Sequence, residues 1–163
     1  MFERYSDVAR QAVFIARMEA GGSGDVSIHS GHFLIGISVV HPELLKQLGL
    51  IIEPGEFRTQ IQQWYSPSTP VPTNADLPLS PSLQAALSQA PSIADEGHCA
   101  QIRTEHLLLS MFDQPCHAAQ FLAERGISRQ SLLAVIASAD CNKPQTPTAS
   151  SSKAMQSLLE NLH

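Results

Sequence analysis

Lysine is scarce in this 163-residue sequence: only Lys46, Lys143 and Lys153 occur, and none follows a glycine. A phosphate-cradling loop needs a glycine-rich turn ending in Gly-Lys-Ser or Gly-Lys-Thr, so ATP hydrolysis is not expected of these residues. Charge of either sign is thin, at 15% of residues, and the balance is acidic, with a formal net charge of -5. No basic face is available to neutralise a phosphate backbone, which excludes nucleic acid as an expected partner. Long apolar runs are missing too. Nothing approaches the roughly 18 uninterrupted residues of a membrane helix, and the start MFERYSDVAR carries both signs without a long apolar core. No membrane and a cytoplasmic location are the expectation. Three cysteines, Cys99, Cys116 and Cys141, cannot all pair within one chain and match no zinc or redox spacing. They read as structural or incidental thiols, and neither a metal nor a cofactor is expected.

What is present is a packable composition, 43% hydrophobic, with a surface of Ser, Gln, Thr and His rather than ion pairs. The length suits one domain or two small repeats sharing a core, without room for a nucleotide-driven motor as well. The chain also matches itself. Ser6 to Ile37 aligns with Ser80 to Met111 at a constant offset of 74 residues, pairing Ala12-Val13 with Ala86-Leu87, Ala16 with Ala90, Ala20 with Ala94 and Ile28 with Ile102. Ser30-Gly31-His32-Phe33-Leu34 falls on Thr104-Glu105-His106-Leu107-Leu108. The register then slips by three, because Asp113 to His117 is longer than its counterpart around His41, and Leu45, Gly49 and Leu50 meet Leu122, Gly126 and Ile127. Two copies of one helical unit follow.

Each unit reads as four short amphipathic helices. In the first, Ser6 is an N-cap, Gly21-Gly22 a stop, Ser30 opens HFLIGISVV, and Pro42 and Pro54 occupy first-turn positions of the third and fourth helices. In the second, Ser80-Pro81 starts the unit, Thr104 caps EHLLLSMF, Gly126 ends the third helix and Ser128 caps the fourth. Pro91 lies inside the first helix of this unit, where it removes the backbone bond to Leu87 and clashes with that carbonyl; a kink or early stop is predicted there. The fold class is thus all-α: two pseudo-symmetric four-helix repeats in one globular domain, followed by a linker and a short C-terminal helix. The domain is expected over residues 1–140, with repeat one at about 1–66, a Pro/Ser/Thr-rich linker at 67–78 and repeat two at about 79–140. In the remainder, 141–163, Met155, Leu158, Leu159 and Leu162 follow the i, i+3, i+4, i+7 pattern of an amphipathic tail helix.

The opening MFERYSDVARQAVFIARMEA resembles the start of ClpC-type amino-terminal domains of the Clp family of ATP-driven unfoldases. Arg103-Thr104-Glu105-His106-Leu107-Leu108-Leu109 is similar to that family's Gly-Thr-Glu-His-hydrophobic-Leu-Leu stretch, and His29-Ser30-Gly31-His32-Phe33-Leu34-Ile35 is a degenerate copy in the expected place. The resemblance spans about residues 1 to 140 and lacks the ATPase modules. It implies a domain that receives substrates or adaptor proteins, each repeat able to bind a phosphorylated arginine through the hydroxyl at the first helix start and the Glu of Thr-Glu-His. Carried over by position, the second repeat offers Ser80, Thr104 and Glu105, and the first only Ser6 and Ser30, since Gly31 holds the acidic position. A helix N-terminus can present N–H groups to a phosphate while a carboxylate pairs with the guanidinium, so any such site is expected in the second repeat alone. Arg103, where the family usually has Gly, changes the local charge.

The bland readings are equally physical. His32 and His106 each stand just before a buried apolar run, as structural histidines do, and no nucleophile pairs with either. Glu105 suits the positive end of a helix dipole, Ser6 and Ser80 are natural caps, and Trp64, Phe57 and Ile61 form a core stripe. The resulting expectation is a non-enzymatic protein-binding module, a stand-alone adaptor or regulator whose partner is a Clp ATPase, an adaptor or a substrate polypeptide. The alternatives are an amino-terminal piece of a full Clp ATPase, or a small-ligand or hydrolytic protein using His106 with Glu105.

Overall fold

The computed structural model describes residues 3–22, 27–50, 53–64 and 77–138. Among these, nine helices appear in the order α1 (Asp7–Gly22), α2 (Ser30–Val40), α3 (Pro42–Gln47), α4 (Pro54–Trp64), α5 (Pro81–Leu87), α6 (Ala90–Glu96), α7 (Thr104–Phe112), α8 (His117–Glu124) and α9 (Arg129–Ser138). The all-α class holds, and the first half has its four helices where the caps and prolines predict them. The tail stripe at Met155 to Leu162 lies outside the described residues.

The second half has five helices because Pro91 divides its first. The break falls before the proline: α5 ends with Ser88 as C-cap, and α6 restarts at Ala90 with Pro91 in its first turn. That placement removes both defects, since a first-turn residue needs no intrahelical acceptor for its N–H and the Leu87 carbonyl no longer has to face the ring.

Amphipathicity is not universal. All eleven residues of α2 are buried, as are eight of the nine in α7. A helix apolar on every side belongs at the centre of a body, and α2 packs against α1, α3, α4, α7 and α8, while α7 packs against α5, α6, α8 and α9 as well as α1 and α2.

The halves are joined by a reciprocal exchange of backbone. Ser6 N–H donates to the Ile102 carbonyl (2.9 Å) and Ile102 N–H to the Arg4 carbonyl (2.8 Å). Seventy-four residues on, Ser80 N–H donates to the Ile28 carbonyl (2.9 Å) and Ile28 N–H to the Pro78 carbonyl (2.8 Å). Each half therefore lends the other one isolated parallel bridge, Tyr5 with Ile102 and Leu79 with Ile28. The slipped register is equally visible: Gly49 and Gly126 both take positive φ (79° and 84°), and the residue after each donates back to its helix, Leu50 to Leu45 and Ile127 to Leu122. Such left-handed turns favour glycine, which explains its retention at both ends.

Candidate functional site

The residues singled out by position are buried and engaged within the chain. Ser6 Oγ accepts from Ala9 N–H (3.2 Å) and Ser80 Oγ from Leu83 N–H (3.3 Å), both as N-caps. Ser30 and Thr104 do not cap their helices. The cap positions are His29 and Arg103, and the hydroxyls, one residue further in, point across to the other half. Ser30 Oγ accepts from Ala118 N–H at the start of α8 (3.2 Å), and Thr104 Oγ1 bonds His41 Nδ1 at the start of α3 (2.7 Å). With the three-residue slip, positions 41 and 118 are equivalent, so the two contacts are one pseudo-symmetric contact made by different chemistry. Because the bridges cross between halves, Ser6 lies beside Ile102 at the entrance to α7, and Ser80 beside Ile28 at the entrance to α2.

His32 and His106 act on their own helix starts. Each sits in the third helical position and accepts through Nδ1 from the backbone N–H of the cap residue, His29 (3.0 Å) or Arg103 (2.9 Å). This is the return half of a capping box, made by imidazole in place of a carboxylate. Burial pushes the His32 imidazole down to about 4, with nearby His29 lowering it further and Glu19 opposing. Burial also lowers His106, Glu105 opposing it and Arg103 and Arg4 adding to it. His41 is lowered in the same way by burial, against the pull of Glu105 and Glu43. An imidazole kept neutral and committed to a backbone N–H is a structural part.

The Glu105 carboxylate already has a guanidinium. Arg103 Nε stands 3.2 Å from its Oε2, with the two side chains 13% and 5% exposed. A buried, hydrogen-bonded pair of this kind is costly to break from one side only, because the remaining charge stays desolvated.

Of the residues singled out by position, only Ser30 reaches an open groove, one of about 760 Å³ between the halves. His29 and Ser30 line it from the first half; Ser82, Phe112, Pro115, His117, Gln120 and Ala123 line it from the second. No Asp, Glu, Lys or Arg is among its lining residues. One flank is braced by an aromatic cluster that ties α4 to α8: Phe57 packs on Phe121 (4.8 Å between centroids), Trp64 stacks on His117 (5.4 Å, 20°), and the Arg125 guanidinium covers Phe121 (4.8 Å). Phe57 is core as predicted, Trp64 is only half-buried, and the Ile61 side chain lies outside what is described. Sequence reasoning expects a polypeptide in grooves between or beside the repeats but names only Ser30 of this lining, although one further signal marks the place: Pro115, Cys116 and His117 belong to the stretch that lengthens the second repeat by three residues.

One cysteine departs from expectation. Cys99 is disulfide-bonded, whereas Cys116 is a free thiol. Among the described residues no cluster of His, Cys, Asp or Glu could hold a metal ion, and no helix is long and apolar enough to cross a membrane.

A pseudo-twofold helical body with a neutral groove between its halves defines a double-repeat domain of the Clp amino-terminal type. Residues 78–162, more than half of the chain, match the family model described as the Clp repeat (R) N-terminal domain, and the chain belongs to that family. No curated protein matches it. Among solved structures it is similar to the N-terminal domain of the caseinolytic protease associated chaperone ClpD from Arabidopsis thaliana, at 20% identity and a TM-score of 0.66, covering 83% of this chain and 93% of that one. The N-domain of ClpV from Vibrio cholerae gives 20% and 0.66 (83% and 84% covered), and the Hsp104 N-terminal domain from Candida albicans 17% and 0.63 (83% and 91%). At such identities the likeness is one of fold.

Proposed function

We propose that this chain is a non-enzymatic protein-binding module that acts as a stand-alone adaptor or regulator of Clp-dependent unfolding or proteolysis, seating an uncharged stretch of polypeptide in the groove between its halves. The observation that carries the reading is that groove: a cleft roughly the size of a small-ligand or short-peptide site, walled by Phe112, Pro115, Ala119 and Ala123, with Ser30, Ser82, His117 and Gln120 to serve a peptide backbone. The family membership supports the same class of partner. The hydrolytic alternative is weakened by His106, whose Nδ1 is held by a backbone N–H and whose ring is buried.

The test is affinity capture of Clp subunits from native extract. Ala123 is exposed on the groove wall, so Ala123→Glu leaves the core alone and puts a carboxylate into the neutral cleft. Recovery of Clp subunits should fall roughly tenfold, the effect of about 1.4 kcal/mol. Undiminished recovery would remove the groove from the proposal, and recovery of no Clp subunit by the unaltered chain would remove the Clp role. If the same polypeptide continues into an ATPase in its native form, intact mass will show it, and the module then serves a motor in cis.

Phosphoarginine recognition belongs to the same proposal at Thr104 and Glu105, with Ser6, Ser30 and Ser80 holding the surrounding helix starts. Such a ligand has to displace Arg103 from Glu105. Titration should therefore give tightest binding to Arg103→Gly, weaker binding to the unaltered chain and none to Glu105→Ala. Equal affinities across the three would end the idea.

A cytoplasmic setting is also proposed, and the disulfide at Cys99 makes it testable, since disulfides persist mainly in oxidising compartments. The disulfide seen at Cys99 stands against that setting, and alkylation of protein drawn from native extract, denatured without reductant, decides between them: a cytoplasmic chain carries Cys99 reduced and modifies all three cysteines, whereas a single modified thiol keeps the disulfide and removes the cytoplasmic reading.

A further inference from the structure

Helix α9 carries more apolar surface than its neighbours cover. Of its ten residues only Leu132 is buried; Leu133 is 40% exposed, and Val135 and Ile136 are half-buried. Beside it the end of α3 contributes Leu48, and Gln47, Leu48, Ser131, Ala134, Val135 and Ser138 enclose a second groove of about 410 Å³. None of these six is charged, so the groove suits an apolar stripe and offers nothing to pair with a charge.

We propose that this groove seats the chain's own C-terminal segment, with Met155, Leu158, Leu159 and Leu162 packed as one helical stripe on Leu48, Ala134 and Val135. Two observations converge on that occupant. The groove ends at Ser138, the residue from which the remaining 25 residues depart. The family match runs through residue 162, so the stripe falls within the matched extent of the domain. Physically, an apolar stripe this short is marginal alone in water and needs a surface, and Lys153 and Glu160 fall off the stripe, matching a groove without charges. The assignment is independent of the peptide groove between the halves and stands or falls separately.

The experiment uses the whole chain with Leu158→Asp and Leu159→Asp together, positions outside α1–α9, so the helical body keeps its core. Backbone amide spectra and hydrogen exchange are compared with the unaltered chain over a range of protein concentrations. The expected result is a shift of the Leu48 and Ala134–Ser138 amides, exchange roughly tenfold faster in the last turns of α9 and no change in α1 or α2, at every concentration. Unchanged α9 amides would overturn the proposal. A response that appears only as a dimer forms would overturn it too, assigning the groove to the tail of a second copy.

Discussion

Replacing Gly36 by alanine should lower the melting temperature by about 10 °C, a large effect for a single methyl group. A Cβ at position 36 would collide with the carbonyl oxygen of Ala12 and stand 3.1 Å from its carbon. These are backbone atoms of α1, so no rotamer relieves the overlap. The helices would have to part along a crossing where Val8, Ala9, Ala12, Ile15 and Ala16 meet an α2 that is buried on all sides. Opening that seam costs contacts along its length, and overpacking of this kind costs about 3 kcal/mol at the upper end of its usual range. The equivalent position in the second half is Ser110, whose buried hydroxyl donates to the Leu107 carbonyl at 2.7 Å. That seam already accommodates a Cβ, so Ser110→Ala should cost no more than about 1 kcal/mol. Scanning calorimetry on the two variants decides the matter: a Gly36→Ala protein melting with the unaltered one would show that the crossing yields.

Acid should destabilise the fold well before its carboxylates protonate. The His32 imidazole is held neutral by burial, its pKa pushed down to about 4 from an ordinary 6.5. Once unfolded, the same side chain takes up a proton near pH 6.5, so the unfolded state binds more protons between those values. Its contribution to stability is intact above pH 6.5 and is lost as pH falls through that window. The loss approaches roughly 3 kcal/mol at pH 4, at about 1.4 kcal/mol for each unit of displacement. His41 and His106, lowered for the same reason, act in the same direction. Urea unfolding at pH 7, 5.5 and 4.5 should show the decline, and His32→Gln should flatten part of it while lowering stability at pH 7. An imidazole proton resonance for His32 that titrates near 6.5 in the native state would contradict the burial argument.

Much of this molecule is legible from spacing alone, for local reasons. Proline in a first turn, glycine at a left-handed helix end and serine as a cap are decided within a few residues, so α1, α3 and α8 begin or end where those residues predict. The repeat is legible for the same reason: Gly49 and Gly126 keep one backbone conformation, and His32 and His106 one hydrogen bond. Pro91 announced a defect, but the site of the break, two residues earlier at Gln89, follows from where a proline can be accepted once a helix restarts.

Other features depend on what lies across the molecule. The apolar composition of HFLIGISVV permits burial on every side, but which elements cover it follows from α1, α4, α7 and α8 surrounding α2. Thr104 looks like a cap in sequence and is a bridge to His41 in space, because the residue before it takes the cap position. Glu105 is the local exception: it looks like an available acid, but its partner Arg103 is only two residues away on the same helix entrance, and the folded side chains bring the two to 3.2 Å. The groove between the halves is built from residues that have no common pattern, brought together by bridges that pass from each half to the other.

The sequence by itself determined an all-helical chain made of two copies of one unit, because caps, breakers and hydrophobic spacing act through neighbouring residues. Tertiary structure decided which faces are covered, how hydroxyls such as Thr104 and Ser30 are engaged and where a neutral groove opens, because those depend on contacts between separate elements, such as Thr104 with His41 and Ser30 with Ala118.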